Sequence, residues 1–412
     1  MNIKDLDLNL TLEDNLIDLE FEDLTTIQEN SFPIILNKKN LIAISYTGSG
    51  KTAAYLIPTI QNLLSNEIKK NQIQVIILVP TRELCLQIND FLKEVLKDIN
   101  LDFSYIFGST KDNEMNFDFK KNSPNILITT PVKLKDLIEE KIITLTNLKT
   151  FVLDEADLII EQNTQNSLKG ILKKIPLKTQ KLLFSATFNS SIEEIAKVFI
   201  GEYEKQEIDD DLFDLNLIEQ KVFFVDEQNK DKLLLQLLDK KEVKSGIIFT
   251  NTKQSADNLV RFLVENKIKV EALHSAKSNF HRIKVINNLK TRKNKFLVAT
   301  DLGSRGLDIT NLTHIINYEI PNNTQSYTHR IGRVGRAGNK GEVFNLVTGK
   351  SRDDFKKQEQ KNKIKLITHE FHSNIVFENK KEDKKSRKKV KSNFKGKNPQ
   401  KTISKHPKKA KR

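Results

Sequence analysis

The chain is poor in cysteine, in long apolar runs and, through most of its length, in net charge of either sign. One cysteine, Cys85, among 412 residues leaves no disulfide framework and no Cys/His metal cluster, so a reducing compartment is the simpler expectation. No uninterrupted apolar run approaches the ~18 residues of a membrane-spanning helix. The N-terminus lacks the basic region and apolar stretch of a secretory signal. These absences read as a protein with no membrane partner and no disulfides, cytoplasmic by default. Net charge is missing until the end: residues 380–412 hold 16 Lys and Arg against 2 Asp and Glu, an excess equal to the +14 of the whole chain. That end has almost no apolar residues to bury and is expected to be disordered. It reads as a sequence-independent binder of nucleic-acid phosphate, although a solubilising end or a nuclear localisation signal would look the same.

What is present is a recurrence of short apolar, β-branched runs separated by stretches with helical spacing. Leu41–Ser45, Val75–Val79, Asn125–Thr129, Thr150–Leu153 and Lys181–Phe184 read as buried strands of one parallel sheet. Lys221–Val225, Gly246–Thr250, Lys269–Leu273, Lys295–Ala299, Thr313–Asn317 and Glu342–Val347 repeat the alternation. Because single cores stop growing near about 250–300 residues, 412 residues imply two domains. The fold class is α/β, two doubly wound parallel-sheet domains in tandem. The expected division is residues 1–204, a polar linker at 205–217 within the acidic stretch from about Gly201 to Leu217, a second domain at 218–365 and a basic end at 366–412. In open α/β sheets, ligands bind beyond the carboxyl ends of the strands, and the polar residues of both halves follow those ends.

Two segments carry phosphate chemistry. Ser45–Thr52 fits G-x-x-x-x-G-K-[ST] except that Ser45 replaces the first glycine. Thr47, Gly48, Ser49 and Gly50 form a loop whose backbone N–H groups point at phosphate oxygens, Lys51 reaches the β- and γ-phosphates, and Thr52 ligates Mg²⁺. A helix starting near Gly50 adds its positive end. About a hundred residues on, the apolar run Thr150–Leu153 closes on Asp154, Glu155 and Asp157, an expensive place for charge without a cation. Asp154 is assigned to Mg²⁺ through water and Glu155 to the attacking water. Together the segments indicate binding and hydrolysis of a nucleoside triphosphate with Mg²⁺. His329–Arg336 presents Arg333 and Arg336 as candidate arginine fingers for the transferring phosphoryl group, which would make hydrolysis depend on domain closure.

In order along the chain stand Gly-Ser-Gly-Lys-Thr (48–52), Pro-Thr-Arg-Glu-Leu (80–84), Asp-Glu-Ala-Asp (154–157), Ser-Ala-Thr (185–187), Arg-Gly-Leu-Asp (305–308) and His-Arg-Ile-Gly-Arg (329–333). This set resembles the DEAD-box ATP-dependent RNA helicases, with two RecA-like domains, over roughly residues 3–350. The resemblance implies that Gln28 reads the adenine edge with Phe21 as aromatic support, and that Asp308 contacts the ribose. It implies that Ser185 and Thr187, bonded to Asp157 and His329, couple hydrolysis to strand separation. It further implies RNA contacts at Pro80, Thr81, Arg82, Gly108, Thr130, Pro131, Asn251, Arg282, Thr300 and Gly306, made through backbone and hydroxyl groups with little sequence preference.

The chain departs from the family pattern at Leu24 and Ile3 near the adenine, and at Ser109, Val132, Lys133 and Asn279 on the expected RNA path. Looser adenine selectivity and weaker RNA affinity in the core follow as expectations. Val334, between the arginine fingers, is expected to matter little. The function implied is RNA-stimulated ATP hydrolysis coupled to local, non-processive unwinding or remodelling of RNA duplexes and RNA–protein complexes, ribosomal ones among them. An ATP-gated RNA clamp or annealing chaperone working mainly through the basic end, and a DNA motor, are the alternatives.

Overall fold

The computed structural model describes residues 1–46, 48–66, 68–108, 119, 122–161, 165–208, 218–304, 312–335, 340–362 and 367–368. Thr47, Gly306, Asp308 and Arg336, each given a role above, lie outside the described residues, as do Ser109, residues 209–217 of the linker and the basic end. Met1–Glu370 form one compact unit holding two seven-stranded sheets. In the first, β1 (Leu41–Ile44), β2 (Val75–Leu78), β3 (Phe103–Ile106), β4 (Ile126–Thr129), β5 (Thr150–Leu153), β6 (Gln180–Ser185) and β7 (Glu204–Glu207) lie in the order β3-β4-β2-β5-β6-β1-β7. In the second, β8 (Ile218–Phe224), β9 (Gly246–Thr250), β10 (Val270–Leu273), β11 (Phe296–Thr300), β12 (His314–Asn317), β13 (Gly341–Val347) and β14 (Ile367–Thr368) follow the order β10-β11-β9-β12-β13-β8-β14. All strand pairs are parallel.

The apolar runs form strands because both faces of each sheet are covered. Side chains alternate across a strand: Leu41, Ala43, Val75, Ile77, Ile126 and Ile128 join one apolar cluster, while Ile42, Ile44, Ile76, Leu78 and Leu127 join another on the opposite face. Each such valine, leucine or isoleucine contributes about 1.5–3 kcal/mol by leaving water, which fixes the register against one-residue slips.

Three strands escaped the sequence reading. Phe103–Ile106 is half-buried at the sheet edge and has neither a long apolar run nor strict alternation. Glu204–Glu207 begins at the last residue of the expected first domain and runs into the expected linker, so the first sheet extends past residue 204 and the linker starts later. This strand is almost wholly exposed and is defined by backbone pairing along β1, continued by Ile208 N donating to Ile44 O at 2.9 Å. Its charges suit an edge, where they discourage pairing with another chain. Ile367–Thr368 pairs with β8, so the second sheet likewise extends past the expected boundary at 365.

Strand order is what assembles the site. Adjacent strands lie about 4.8 Å apart, and β5, β6 and β1 are neighbours, so the acidic segment, Ser185–Thr187 and the phosphate-loop segment emerge side by side from one edge. The other half of that edge, β3-β4-β2, delivers Gly108, Thr130–Pro131 and Pro80–Arg82. In the second sheet β11 and β9 are neighbours, and their ends carry Thr300 and Asn251.

Candidate nucleotide site and domain interface

From β1 the chain turns through Ser45–Gly50 into helix Lys51–Leu64. Gly50 has φ 92°, and a Cβ there would stand 2.5 Å from Gln28 Nε2, so the position demands glycine. Gln28 is buried on helix Thr26–Leu36. Its amide nitrogen donates to Gly50 O at 3.2 Å, its amide oxygen accepts from Thr25 N at 3.0 Å, and Thr25 Oγ1 donates to Ser49 O at 2.8 Å. The residue assigned to adenine therefore also braces the loop. Lys51 Nζ donates to Ser45 O at 2.6 Å and Tyr46 O at 2.9 Å, while the hydroxyls of Ser45 and Ser49 pair at 2.7 Å. Phe21 is half-buried with its ring 5.9 Å from that of Phe91. Ile3 is buried in the core beneath this region and offers no open face.

Beyond β5, Asp154 is 2% exposed. Its Oδ1 accepts from Glu155 N at 2.8 Å and its Oδ2 from Tyr55 Oη at 2.9 Å. Glu155 adopts φ 48°, a left-handed conformation uncommon for a side chain of its size, which stores strain where the chemistry is expected. Burial raises the Asp154 carboxyl above its ordinary value despite Lys51 and the Tyr55 hydrogen bond. Burial also pushes Glu155 up to about 7, reinforced by the charges of Asp154 and Asp157 and opposed by Arg333 and Lys51. Glu155 Oε2 is buried without a hydrogen-bond partner among the described residues.

The second domain completes this pocket. Asp157 Oδ2 accepts from Thr187 Oγ1 at 3.4 Å and stands 4.0 Å from His329 Nε2, and Thr187 N donates to Ser185 Oγ at 3.3 Å. All four residues assigned to coupling are thus together. Arg333 is buried and close enough for its charge to act on Glu155. A second link crosses the interface where Arg282 Nε meets Glu83 Oε1 at 2.5 Å, both side chains largely buried.

Comparison with known proteins agrees with this geometry. The family model described as DEAD/DEAH box helicase matches residues 25–195, and that of the helicase conserved C-terminal domain matches residues 229–338. The chain is 34% identical over 366 residues to the DEAD-box ATP-dependent RNA helicase CshA of Bacillus subtilis, covering 89% of this chain and 73% of that one. It belongs to the DEAD-box ATP-dependent RNA helicases. With the ATP-dependent RNA helicase CshA of Listeria monocytogenes it shares 37% identity over 327 residues, 79% of this chain and 62% of that protein's length. The structure of Dbp5 from S. cerevisiae bound to RNA and ADP BeF3 superposes with a TM-score of 0.79 at 27% identity, covering 89% of this chain and 95% of that one. Members of this family hydrolyse ATP, and the fold is two RecA-like domains in tandem.

In this DEAD-box helicase several residues assigned to RNA already have structural work. The Thr81 hydroxyl caps helix Arg82–Val95, accepting from Leu84 N at 3.3 Å, and Thr300 Oγ1 accepts from Gly303 N at 3.3 Å. Each hydroxyl keeps its proton to donate. Pro80 and Pro131 are buried, Thr130 and Gly108 are half-buried, and Arg82 lies 5.6 Å from the centre of the Phe107 ring. Asn251 Oδ1 accepts from Arg330 Nη2 at 2.8 Å, and its amide donates to Ile320 O at 2.9 Å. Of the departures, Val132 is exposed, while Lys133 and Val334 are buried.

Three residues were missed by sequence reasoning. Arg330, 1% exposed, is the structural member of the three-arginine motif. It binds Asp301 through Nε at 2.5 Å and Nη2 at 2.8 Å, Asn317 Oδ1 at 3.1 Å and Glu319 O at 2.6 Å, with its guanidinium 4.9 Å from the Phe249 ring centre. Nothing in the motif's spacing separates it from Arg333. Glu83 sits inside a recognised segment and Tyr55 three residues after one, but their partners are distant in sequence. Among the described residues no cluster of three or more metal ligands forms a cage, and no helix is long and apolar enough to cross a membrane. The donor set does fit Mg²⁺: this ion needs only one or two carboxylates beside substrate phosphates, and buried acids with raised proton affinity supply them.

Proposed function

We propose that this helicase couples RNA-stimulated ATP hydrolysis to local, non-processive opening of short RNA duplexes and remodelling of RNA–protein complexes. The observation that carries this reading is the split site: Lys51, Asp154, Glu155 and Asp157 belong to one domain, while from the other the charge of Arg333 acts on Glu155 and His329 stands 4.0 Å from Asp157. Lys51 exchanges its two loop carbonyls for the β- and γ-phosphates, with backbone N–H groups of Gly48–Gly50 around them. Thr52 and Asp154 would hold Mg²⁺, which neutralises phosphate charge when bound. Glu155, with one buried oxygen unpaired and a proton affinity near neutrality, orients the attacking water and takes its proton. Arg333, with Arg336 of the same segment, stabilises charge on the transferring phosphoryl group. Gln28 and Phe21 recognise adenine, Asp308 the ribose, and the Asp157–Thr187–His329 contact reports nucleotide state across the interface.

The ends of β3, β4 and β2, with Thr300 and Asn251 of the second sheet, hold RNA by sugar and phosphate. The likeness to Dbp5, solved with RNA and ADP BeF3, supports this side of the reading. Closure on ATP would bend a bound strand and separate a few base pairs; hydrolysis would release it. The test is ATP hydrolysis by the full chain and by residues 1–379, each alone, with single-stranded RNA and with DNA, using Glu155→Gln as the blank. RNA-selective stimulation that survives truncation is expected. RNA binding without stimulation in either protein would refute it in favour of a clamp, and equal stimulation by DNA would favour a DNA motor.

A further inference from the structure

Tyr55 holds a place in the site that the ATP-binding residues leave unassigned. It lies on helix Lys51–Leu64 three residues after Thr52, so the two side chains share a face. The ring is 0% exposed and packs on Phe184 with centroids 5.2 Å apart. A buried phenol needs a polar partner, and the one selected is a carboxylate: the hydroxyl donates to Asp154 Oδ2 at 2.9 Å. The other Asp154 oxygen accepts the Glu155 N–H at 2.8 Å.

A carboxylate's terminal torsion is broad and nearly two-fold, so a single backbone donor leaves it able to rotate. Two donors on different oxygens, one from its own chain segment and one from the helix that follows the phosphate loop, hold it in one plane. We propose that Tyr55 is a positioning residue that ties the helix following the phosphate loop to Asp154 and presents the Asp154 carboxylate, already oriented, to the cation that accompanies ATP. This rests on the reading of Thr52 and Asp154 as the Mg²⁺-binding pair. A charge-assisted hydrogen bond of this kind is among the stronger ones, and it should change how much Mg²⁺ improves nucleotide binding, leaving the metal-free affinity alone.

Equilibrium binding of a fluorescent ATP analogue to the full chain, without RNA, in EDTA and in saturating Mg²⁺, tests this. For Tyr55→Phe, which keeps the ring, metal-free affinity is expected to stay within about twofold of the parent. The factor by which Mg²⁺ tightens binding is expected to shrink by about tenfold. An undiminished Mg²⁺ gain overturns the proposal, and an equal loss with and without Mg²⁺ overturns it in favour of a packing role. A cycle with Asp154→Asn keeps the test decisive if the single variant is less stable: the two substitutions should not be additive in the Mg²⁺ gain, and additivity overturns the proposal. Absence of any Mg²⁺ gain in the parent would instead sink the underlying reading of the site, and this inference with it.

Discussion

Replacing Glu155 by Gln should remove activity and also change how stability responds to pH. The side chain is half-buried with one carboxylate oxygen out of reach of water, and its desolvation pushes the carboxyl from the ordinary 4.5 up to about 7. The folded protein therefore binds a proton that the unfolded chain has released over roughly pH 4.5–7. Stability from this group is fully present below the unfolded value and is lost as pH rises through the folded one. At about 1.36 kcal/mol per pK unit, the parent should lose about 2.5 kcal/mol between pH 5 and pH 8 that Glu155→Gln does not lose. For domains of this size that corresponds to a differential Tm shift of roughly 5–10 °C, with the variant gaining on the parent as pH rises. The assay is thermal unfolding of both proteins at several pH values, free of nucleotide and Mg²⁺ so that neither screens the carboxylate. Other titrating groups are common to both and largely cancel in the difference. A Tm difference that stays constant across this range would refute the reasoning and place the Glu155 carboxyl near its solution value.

Truncating Arg330 to Met should cost about 3 kcal/mol in urea unfolding, because Asp301 loses a buried partner; a loss below about 1 kcal/mol would show the network to be dispensable. Glu83→Arg with Arg282→Glu should recover part of the RNA-stimulated ATPase that either reversal alone removes, whereas additive losses would mean that the 2.5 Å pair does not act in closure. Lys51→Ala should lower ATP turnover by about 10²–10³ with an unchanged melting profile, and retained turnover would remove Lys51 from the phosphate site. Removing residues 380–412 should flatten the dependence of RNA affinity on salt, since those residues carry an excess of 14 positive charges; an unchanged slope would assign RNA binding to the core.

Much of this helicase is legible in one dimension because the information is local. Apolar β-branched runs mark strands that are buried on both faces, as Val75–Leu78 and Thr150–Leu153 are. Glycines at 48 and 50 mark a loop that needs positive φ, and acids closing a buried run mark a place where charge is costly without a partner. The charge imbalance of the C-terminal end is a matter of counting. Strands set by pairing alone were not legible: Glu204–Glu207 has a polar sequence and exists because β1 offers it an edge. Nor were roles that depend on partners far along the chain. Arg330 and Arg333 share a motif, yet the first is buried against Asp301 and Asn317 while the charge of the second acts on Glu155. Gln28 braces Gly50, and Tyr55 holds Asp154 across 99 positions of sequence. The sequence by itself determined which segments carry the proposed phosphate chemistry and which can form a core. Only the tertiary structure decided that β5, β6 and β1 lie side by side and that a second domain meets them, because strand order and domain contact arise from packing between faces that are remote in sequence.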